Sequence, residues 1–153
     1  MTARSINDRA VFYPSTMKIY FSCSLIGGRG DEAIYAAIVD DLLARGHDVL
    51  SAHLARTGVM TLEQRVDPRE IYQRDVYWVK DCQALVAEVS TPSHGVGYEI
   101  ALALSLHKPV LCLYRQGVRV SKMITGNDEP TLTVTAYLDK AGALDVVRRF
   151  VSA

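Results

Sequence analysis

Short apolar runs alternate along the chain with segments whose apolar residues are spaced three and four positions apart. The runs predict five buried strands, over residues 17–23, 47–52, 84–89, 109–114 and 132–137. The spaced segments predict amphipathic helices over residues 31–45, 67–82, 98–106 and 138–151, and a short helix is predicted over residues 118–126. Weak periodicity predicts a loop over residues 56–66. Residues 90–97 are rich in turn-forming residues and are predicted to form turns.

Local signals mark two helix ends. Gly46 is expected to end the first helix as a C-terminal cap. Asp67 followed by Pro68 predicts an N-cap and a first helical position. Strands that alternate with helices predict a parallel sheet covered on both faces. The expected fold is therefore a flavodoxin-like, doubly wound α/β sheet of five mainly parallel strands. One domain over residues 17–153 is expected, after a flexible N-terminal extension over residues 1–16.

Composition and charge limit the classes of function that the chain can have. Lysine plus arginine and aspartate plus glutamate both number 17, so the net charge is zero. This neutrality argues against binding a nucleic-acid polymer, which usually needs a basic surface, but allows a local pocket for a small anion. The three cysteines are scattered, which predicts reduced thiols in an intracellular protein and no metal site. No apolar run is long enough to span a membrane. The expected location is the cytoplasm, with the nucleus as a second possibility.

The most distinctive segments follow the predicted strands. In parallel sheets of this kind, ligands bind beyond the carboxyl ends of the strands. The segments at those ends are residues 24–30, 53–55, 90–99 and 115–121. This placement predicts a ligand site at that edge of the sheet.

The segment S-T-P-S-H-G-V-G-Y-E, residues 90–99, carries the strongest chemical signal. Gly95 and Gly97 allow tight turns and close approach of a ligand. Glu99 is predicted to lie in the first turn of the following helix, whose positive end should keep the carboxylate ionised, as a nucleophile requires. The alternative is that Glu99 only stabilises the helix and the glycines only shape a turn.

Four other places offer weaker signals. Ser24, Gly27, Gly28 and Arg29 form a glycine-rich loop that is suited to phosphate, although it matches no standard nucleotide-binding fingerprint. Asp75 lies beside an apolar helix stripe, where burial would raise its pKa and suit it to proton transfer. The plainer interpretation of the loop is that it only turns the chain, and that of Asp75 is a solvated acid on a helix. Tyr20 is by default a core residue, and His53 a polar surface residue.

Together these segments resemble a known family. K-I-Y-F-S-C-S with G-G-R, S-A-H, Y-Q-R-D, V-A-E-V-S-T-P-S-H-G-V-G-Y-E and V-S-K-M-I occur in this order. They resemble the 2′-deoxynucleoside 5′-monophosphate N-glycosidases, a branch of the nucleoside deoxyribosyltransferase superfamily. The resemblance runs from Met17 to near the C-terminus. It implies a homodimer that hydrolyses a nucleotide to free base and 2-deoxyribose 5-phosphate through a covalent glutamyl–sugar intermediate, without a cofactor.

The resemblance also implies roles for individual residues. Glu99 matches the nucleophile, Tyr20 the tyrosine that orients it, and Asp75 the second catalytic carboxylate. His53 falls near the base. The positions that match the surroundings of the 5′-phosphate are Ser24, Gly27, Gly28, Arg29, Ser93, Gly95 and Gly97. Ser121 matches a serine that reaches the phosphate from the partner subunit.

The first loop departs from the family pattern, which usually reads C-G-S-I-R-G-G-R. Cys23 replaces a glycine and Ile26 replaces the first arginine. A lost charge-assisted contact of this kind is worth ~1.5–3 kcal/mol, so affinity for phosphate would fall by about one or two decades.

Three other functions compete with the monophosphate hydrolase. A deoxyribosyltransferase would use the same intermediate and pass the sugar to another base. A ribonucleotide N-glycosidase of the CMP type is disfavoured by Tyr20, which would crowd a 2′-hydroxyl. A catalytically silent nucleotide-binding module is disfavoured by the joint presence of Tyr20, Asp75 and Glu99.

Overall fold

The computed structural model describes residues 15–25 and 30–152. Its core is a five-stranded sheet in which every paired strand is parallel, with strand order β2-β1-β3-β4-β5. The strands are β1 (Lys18–Ser22), β2 (Asp48–Val49), β3 (Ala84–Glu88), β4 (Val110–Arg115) and β5 (Leu132–Tyr137). This is the flavodoxin-like order, and it confirms the predicted fold class. The order reverses between β1 and β3, which creates a crevice at the carboxyl ends of these two strands.

Six α-helices connect or flank the described strands. They are α1 (Glu32–Ala44), α2 (Val59–Glu63), α3 (Pro68–Asp81), α4 (His94–Ser105), α5 (Lys122–Thr125) and α6 (Lys140–Val151). A short 3₁₀ helix (Ala52–Ala55) follows β2. Both predicted caps are confirmed. Gly46 has φ +86° just beyond the end of α1, and the Asp67 carboxylate accepts a 2.8 Å hydrogen bond from the backbone N–H of Arg69.

Side chains alternate between two buried layers, one on each face of the sheet. Ile19 and Phe21 pack with residues of α1 and α6 on one face. Tyr20 packs with residues of α3 and α4 on the other face. Because successive strand residues point to opposite faces, Ser22 shares the second face with Tyr20. β1 therefore presents two hydroxyl groups toward the layer that contains α4.

Three predicted elements differ from the structure. The segment 56–66 was expected to be a loop but contains α2, which begins after Gly58 (φ +81°) and buries Val59 and Glu63. A five-residue helix is too short to show a periodic pattern. The second strand is reduced to Asp48–Val49 because the chain turns into the 3₁₀ helix. α5 occupies only four residues of the segment 118–126.

The start of α4 also differs from the prediction. Residues 90–97 were expected to form turns, but the helix begins at His94, where the Ser93 hydroxyl accepts a hydrogen bond from the backbone N–H of Val96. Glycine disfavours helix interiors, so Gly95 and Gly97 mask this helical turn in the sequence. Neither has a positive φ, so neither is needed for a tight turn here. The predicted extension, residues 1–16, lies almost wholly outside the described residues.

Candidate active site

A cavity of about 580 Å³ opens at the carboxyl ends of β1 and β3. Its lining combines three carboxylates that lie on different helices, Glu63 on α2, Asp75 on α3 and Glu99 on α4, with apolar side chains. The lining residues are Cys23, Leu25, Leu54, Met60, Glu63, Gln64, Ile71, Asp75, Pro92, Ser93, His94, Gly95, Val96 and Glu99. A mostly apolar cavity with a few convergent polar groups is the usual form of a small-molecule site.

Glu99 is held by a hydroxyl group on each carboxylate oxygen. The Tyr20 hydroxyl donates a 2.9 Å hydrogen bond to Oε1, and the Ser22 hydroxyl donates a hydrogen bond to Oε2. Tyr20 and Ser22 are 0% and 1% exposed. Strand alternation explains the arrangement, because residues two apart on β1 reach the same helix. Tyr20 pairs with Leu85 and Ser22 with Ala87, so both are anchored next to β3.

The electrostatic prediction for Glu99 is wrong. α4 begins at His94, so Glu99 is its sixth residue and lies beyond the first turn, where the field of the helix terminus is weak. Burial raises the pKa of Glu99 to about 7, against the hydrogen bonds from Ser22 and Tyr20, which lower it. Loss of hydration therefore outweighs the two donors. Near neutral pH the carboxyl group is divided between its protonated and ionised forms.

Asp75 belongs to an ion-pair network centred on Arg74. Arg74 donates from Nε to Asp75 Oδ1 at 2.8 Å, and from Nη1 and Nη2 to the two oxygens of Glu63 at 3.0 and 2.9 Å. The guanidinium carbon also lies 5.0 Å from the centre of the Trp78 ring. The side chains of Glu63 and Asp75 are only 9% and 16% exposed. One guanidinium thus donates hydrogen bonds to two largely buried carboxyl groups.

The two carboxylates respond differently to the same arginine. Burial raises the pKa of Asp75, although its bond to Arg74 opposes this. Burial would also raise the pKa of Glu63, but the paired bonds from Arg74 reverse the effect and lower it. Glu63 receives two N–H groups from Arg74 and is also contacted by His53, whereas Asp75 receives one N–H group and the charge of Glu63 raises its pKa further. The raised pKa of Asp75 agrees with the expectation from the sequence.

His53 lies at the edge of this network. Its Nε2 is 3.2 Å from Glu63 Oε1, and its ring packs against Trp78 with centroids 5.6 Å apart. Glu63 in turn lines the cavity. His53 is therefore linked to the cavity wall through Glu63.

The residues expected around the phosphate are only partly brought together. Ser93 and Gly95 line the cavity, whereas Ser24 is fully buried and Gly97 lines a neighbouring cavity. The predictions for Gly27, Gly28 and Arg29, and for the departure at Ile26, lie outside the described residues.

Ser121 lies apart from Glu99. Its side chain is exposed, caps α5 by accepting a 3.2 Å hydrogen bond from Met123 N–H, and lines a second cavity of about 880 Å³. This second cavity shares Pro92, Ser93, His94 and Val96 with the first one. Within one chain, Ser121 does not line the cavity that holds the carboxylates.

Sequence reasoning missed several residues of the site. Ser22 carries a usable signal, since it stands two positions after Tyr20 on a predicted strand. Met60, Glu63 and Gln64 were placed in a loop, so their approach to the cavity was not anticipated. Among the described residues, no cluster of three or more His, Cys, Asp or Glu side chains is arranged to hold a metal ion.

The fold and the site together define a class of protein. It is a flavodoxin-like domain whose cavity, at the reversal of strand order, is lined by three carboxylates, one of which, Glu99, is bound by two hydroxyl groups. The sequence profile of the nucleoside 2-deoxyribosyltransferase family matches residues 19–133. The chain belongs to this family.

Curated relatives refine the comparison. A Methanosarcina barkeri protein with the provisional name 2′-deoxynucleoside 5′-phosphate N-hydrolase 1 is 42% identical over 136 residues, which cover 89% of this chain and 86% of that protein. The 5-hydroxymethyl-dUMP N-hydrolase of Rattus norvegicus is 41% identical over 112 residues, which cover 71% of this chain and 68% of that protein.

A solved structure supports the fold. The CMP N-glycosidase of Clostridium botulinum superposes with a TM-score of 0.68 at 16% identity, over 87% of this chain and 98% of that chain. In the described part of this chain, no helix has the length and apolar character needed to cross a membrane.

Proposed function

We propose that this chain hydrolyses the N-glycosidic bond of 2′-deoxynucleoside 5′-monophosphates, with Glu99 as the nucleophile. The broader activity is given by the comparisons: relatives with about 40% identity are named N-hydrolases, and the chain is an N-glycosidase. The observation that carries the finer proposal is the placement of Glu99. This carboxylate lines the cavity, is bound by two hydroxyl groups, and shares the cavity with Asp75.

In the first step, one oxygen of ionised Glu99 attacks the anomeric carbon of the sugar. The bond from that carbon to the base nitrogen breaks, and its electron pair leaves with the base. Asp75, whose pKa is raised by burial, gives a proton or a hydrogen bond to the departing base. The product of this step is a sugar ester of Glu99, as in retaining glycosidases.

In the second step, water attacks the anomeric carbon and the ester bond to Glu99 breaks. If Asp75 protonated the base, it accepts the proton of that water; if it only donated a hydrogen bond, the proton of the water passes to the base anion. In both cases the two carboxyl groups return to their starting states. The products are free base and 2-deoxyribose 5-phosphate. The whole cycle uses only side chains of the protein and water.

The preference for a deoxyribose follows from Tyr20. Its hydroxyl donates a 2.9 Å hydrogen bond to Glu99, so in this proposal it lies close enough to the attacking carboxylate to crowd a 2′-hydroxyl of the bound sugar. A sugar without that electron-withdrawing group also bears positive charge at the anomeric carbon more easily.

The phosphate end would be formed by the first loop and by the start of α4. Ser24, Gly27, Gly28, Arg29, Ser93, Gly95 and Gly97 are the proposed binding residues, and His53 is proposed near the base. A homodimer would place the partner's Ser121 against the phosphate. The exposed position of Ser121, away from the cavity of its own chain, is consistent with this role.

A deoxyribosyltransferase is the second candidate, because the matching family is named for that reaction. Purified protein should be incubated with the four deoxynucleoside monophosphates, their unphosphorylated forms and the ribonucleotides, and free base measured by chromatography. A second free base in parallel reactions separates the two activities, since only a transferase forms the exchanged nucleoside efficiently.

Substitution tests the nucleophile. Glu99→Ala and Glu99→Gln should abolish base release, and mass spectrometry of rapidly quenched wild type should detect a sugar phosphate on the peptide that contains residue 99. Glu129→Gln removes an exposed glutamate and is the matched control, with unchanged turnover. Wild-type turnover in either Glu99 variant would overturn the proposal.

A further inference from the structure

We propose that Ser22 is a positioning residue that keeps Glu99 ionised for attack, as a second hydroxyl donor beside Tyr20. The inference rests on the proposed role of Glu99 as the nucleophile. Its basis is the hydrogen bond from the Ser22 hydroxyl to Oε2, the oxygen that Tyr20 does not bind. The two donors therefore act on different atoms of one carboxylate.

Burial makes this second donor necessary. Glu99 loses much of its hydration between β1 and α4, and this loss favours the neutral acid. A neutral acid is a poor nucleophile. A hydroxyl that donates to the carboxylate stabilises the charged form, and such bonds are stronger than those between neutral groups.

The other groups that face Glu99 do not provide the same effect. Asp75 on α3 is a second carboxylate, and its charge raises the pKa of Glu99. Arg74 on α3 lowers that pKa through its charge. Its three nitrogens donate to Glu63 and Asp75. Within the described residues, Tyr20 and Ser22 are the direct donors to Glu99.

The position of Ser22 is fixed before any substrate binds. The residue is 1% exposed and ends β1, where its backbone pairs with Ala87 of β3. Its hydroxyl thus needs little rearrangement to hold the carboxylate. The same bond would stabilise the carboxylate again when water releases the sugar, because Glu99 is then the leaving group.

The first experiment measures the titration of Glu99 directly, without substrate. Protein labelled with ¹³C at the glutamate carboxyl carbons is titrated by NMR, and the Glu99 signal is assigned as the one missing in Glu99→Gln. Wild type should titrate near pH 7. Ser22→Ala should move the midpoint upward by about one pH unit, and Ser22→Cys, a weaker donor of similar size, should fall between the two.

Ser90→Ala is the matched control. Ser90 is also a buried serine whose hydroxyl donates to a buried carboxylate, but its partner is Glu88 and neither residue lines the cavity. This substitution removes the same kind of bond and should leave the Glu99 midpoint unchanged. Thermal melting of each variant shows that the folded protein is being titrated.

The second experiment measures base release from a deoxynucleoside monophosphate as kcat/KM against pH. The quantity compared is the ratio of Ser22→Ala to wild type, because any requirement for the protonation state of Asp75 is common to both proteins and cancels. If ionised Glu99 attacks, the ratio should be about one-tenth at pH 5.5 and approach unity at pH 9. A merely structural role for Ser22 would give a ratio that does not depend on pH.

An unchanged NMR midpoint in Ser22→Ala, or a pH-independent kinetic ratio, would overturn the inference. Failure of the proposed function has a different signature, which is retained base release in Glu99→Gln. If Ser22→Ala does not fold, Ser22→Cys supplies the test, and a midpoint equal to that of wild type counts against the role of the hydroxyl.

Discussion

Removal of the Arg74 guanidinium should destabilise the fold strongly at neutral pH. Arg74→Met keeps an apolar stem against Trp78 and deletes the positive charge that pairs with Glu63 and Asp75, whose oxygens lie 2.8–3.0 Å from its nitrogens. Removal of one partner from a buried ion pair costs about 3–5 kcal/mol. The Arg74 side chain is 25% exposed, so we expect the lower end, about 3 kcal/mol at pH 7.

The cost should also depend on pH, with a definite sign. In wild type the folded-state pKa of Glu63 is lowered, so its stabilising contribution is present above the ordinary carboxyl pKa and is lost as the pH falls through the lower folded value. In the variant the unpaired carboxylates are penalised by burial, and protonation relieves that penalty. The relief of this penalty in the variant makes the difference between the two proteins shrink as the pH falls from 7 to 4.5, and the loss of the Glu63 contribution in wild type adds to it only below the ordinary carboxyl pKa.

Urea unfolding at pH 7.0, 5.5 and 4.5 measures these differences by linear extrapolation. Arg148→Met is the matched control, because Arg148 also donates two N–H groups to one carboxylate, Asp41, but its side chain is 41% exposed. Exposed pairs contribute about 0–1 kcal/mol. Equal losses in the two variants, or a loss in Arg74→Met that is constant across the pH range, would refute the reasoning. Partial restoration of stability by adding Glu63→Gln would support it.

Three further substitutions test other parts of the structure. Tyr20→Phe removes the donor to Glu99 Oε1 and should lower kcat/KM for base release by about 10- to 100-fold, and unaltered kinetics would contradict the assigned contact. Glu88→Gln replaces a fully buried acid whose pKa is raised by burial; because wild type loses stability as the pH rises above the ordinary carboxyl pKa, the variant should gain relative stability between pH 5 and 8 in urea unfolding. Asp67→Ala removes the N-cap of α3 and should cost about 1 kcal/mol by the same assay, and a change below the error of the measurement would count against the cap.

Most of the framework was predictable because it depends on local patterns. Asp67, Pro68 and Gly46 act on their own helix ends, and apolar runs identify buried strands whatever their partners are. The strand order then follows from general rules for parallel sheets. Residues 59–63 escaped because one and a half helical turns contain no repeat to recognise, and the start of α4 escaped because Gly95 and Gly97 disfavour the helix that Ser93 nucleates.

The site was less predictable because its chemistry depends on distant neighbours. The sequence indicated Glu99, Asp75 and Tyr20 as a group only through resemblance to a family. The contact between Arg74 and Glu63 depends on tertiary packing, since Glu63 lies 11 positions away on another helix. The ionisation of Glu99 could not be predicted from helix position, because the decisive quantity is the water that it loses between β1 and α4.

The bonds to Glu99 join segments that are far apart in the chain. Tyr20 and Ser22 precede it by 79 and 77 positions, so no fragment with only local order can form this arrangement. The titration midpoint of Glu99 therefore reports whether α4 is packed against β1. A midpoint near that of a free glutamate would show that α4 has separated from β1. If the carboxyl signal of Glu99 is followed during refolding, it measures when α4 packs against β1.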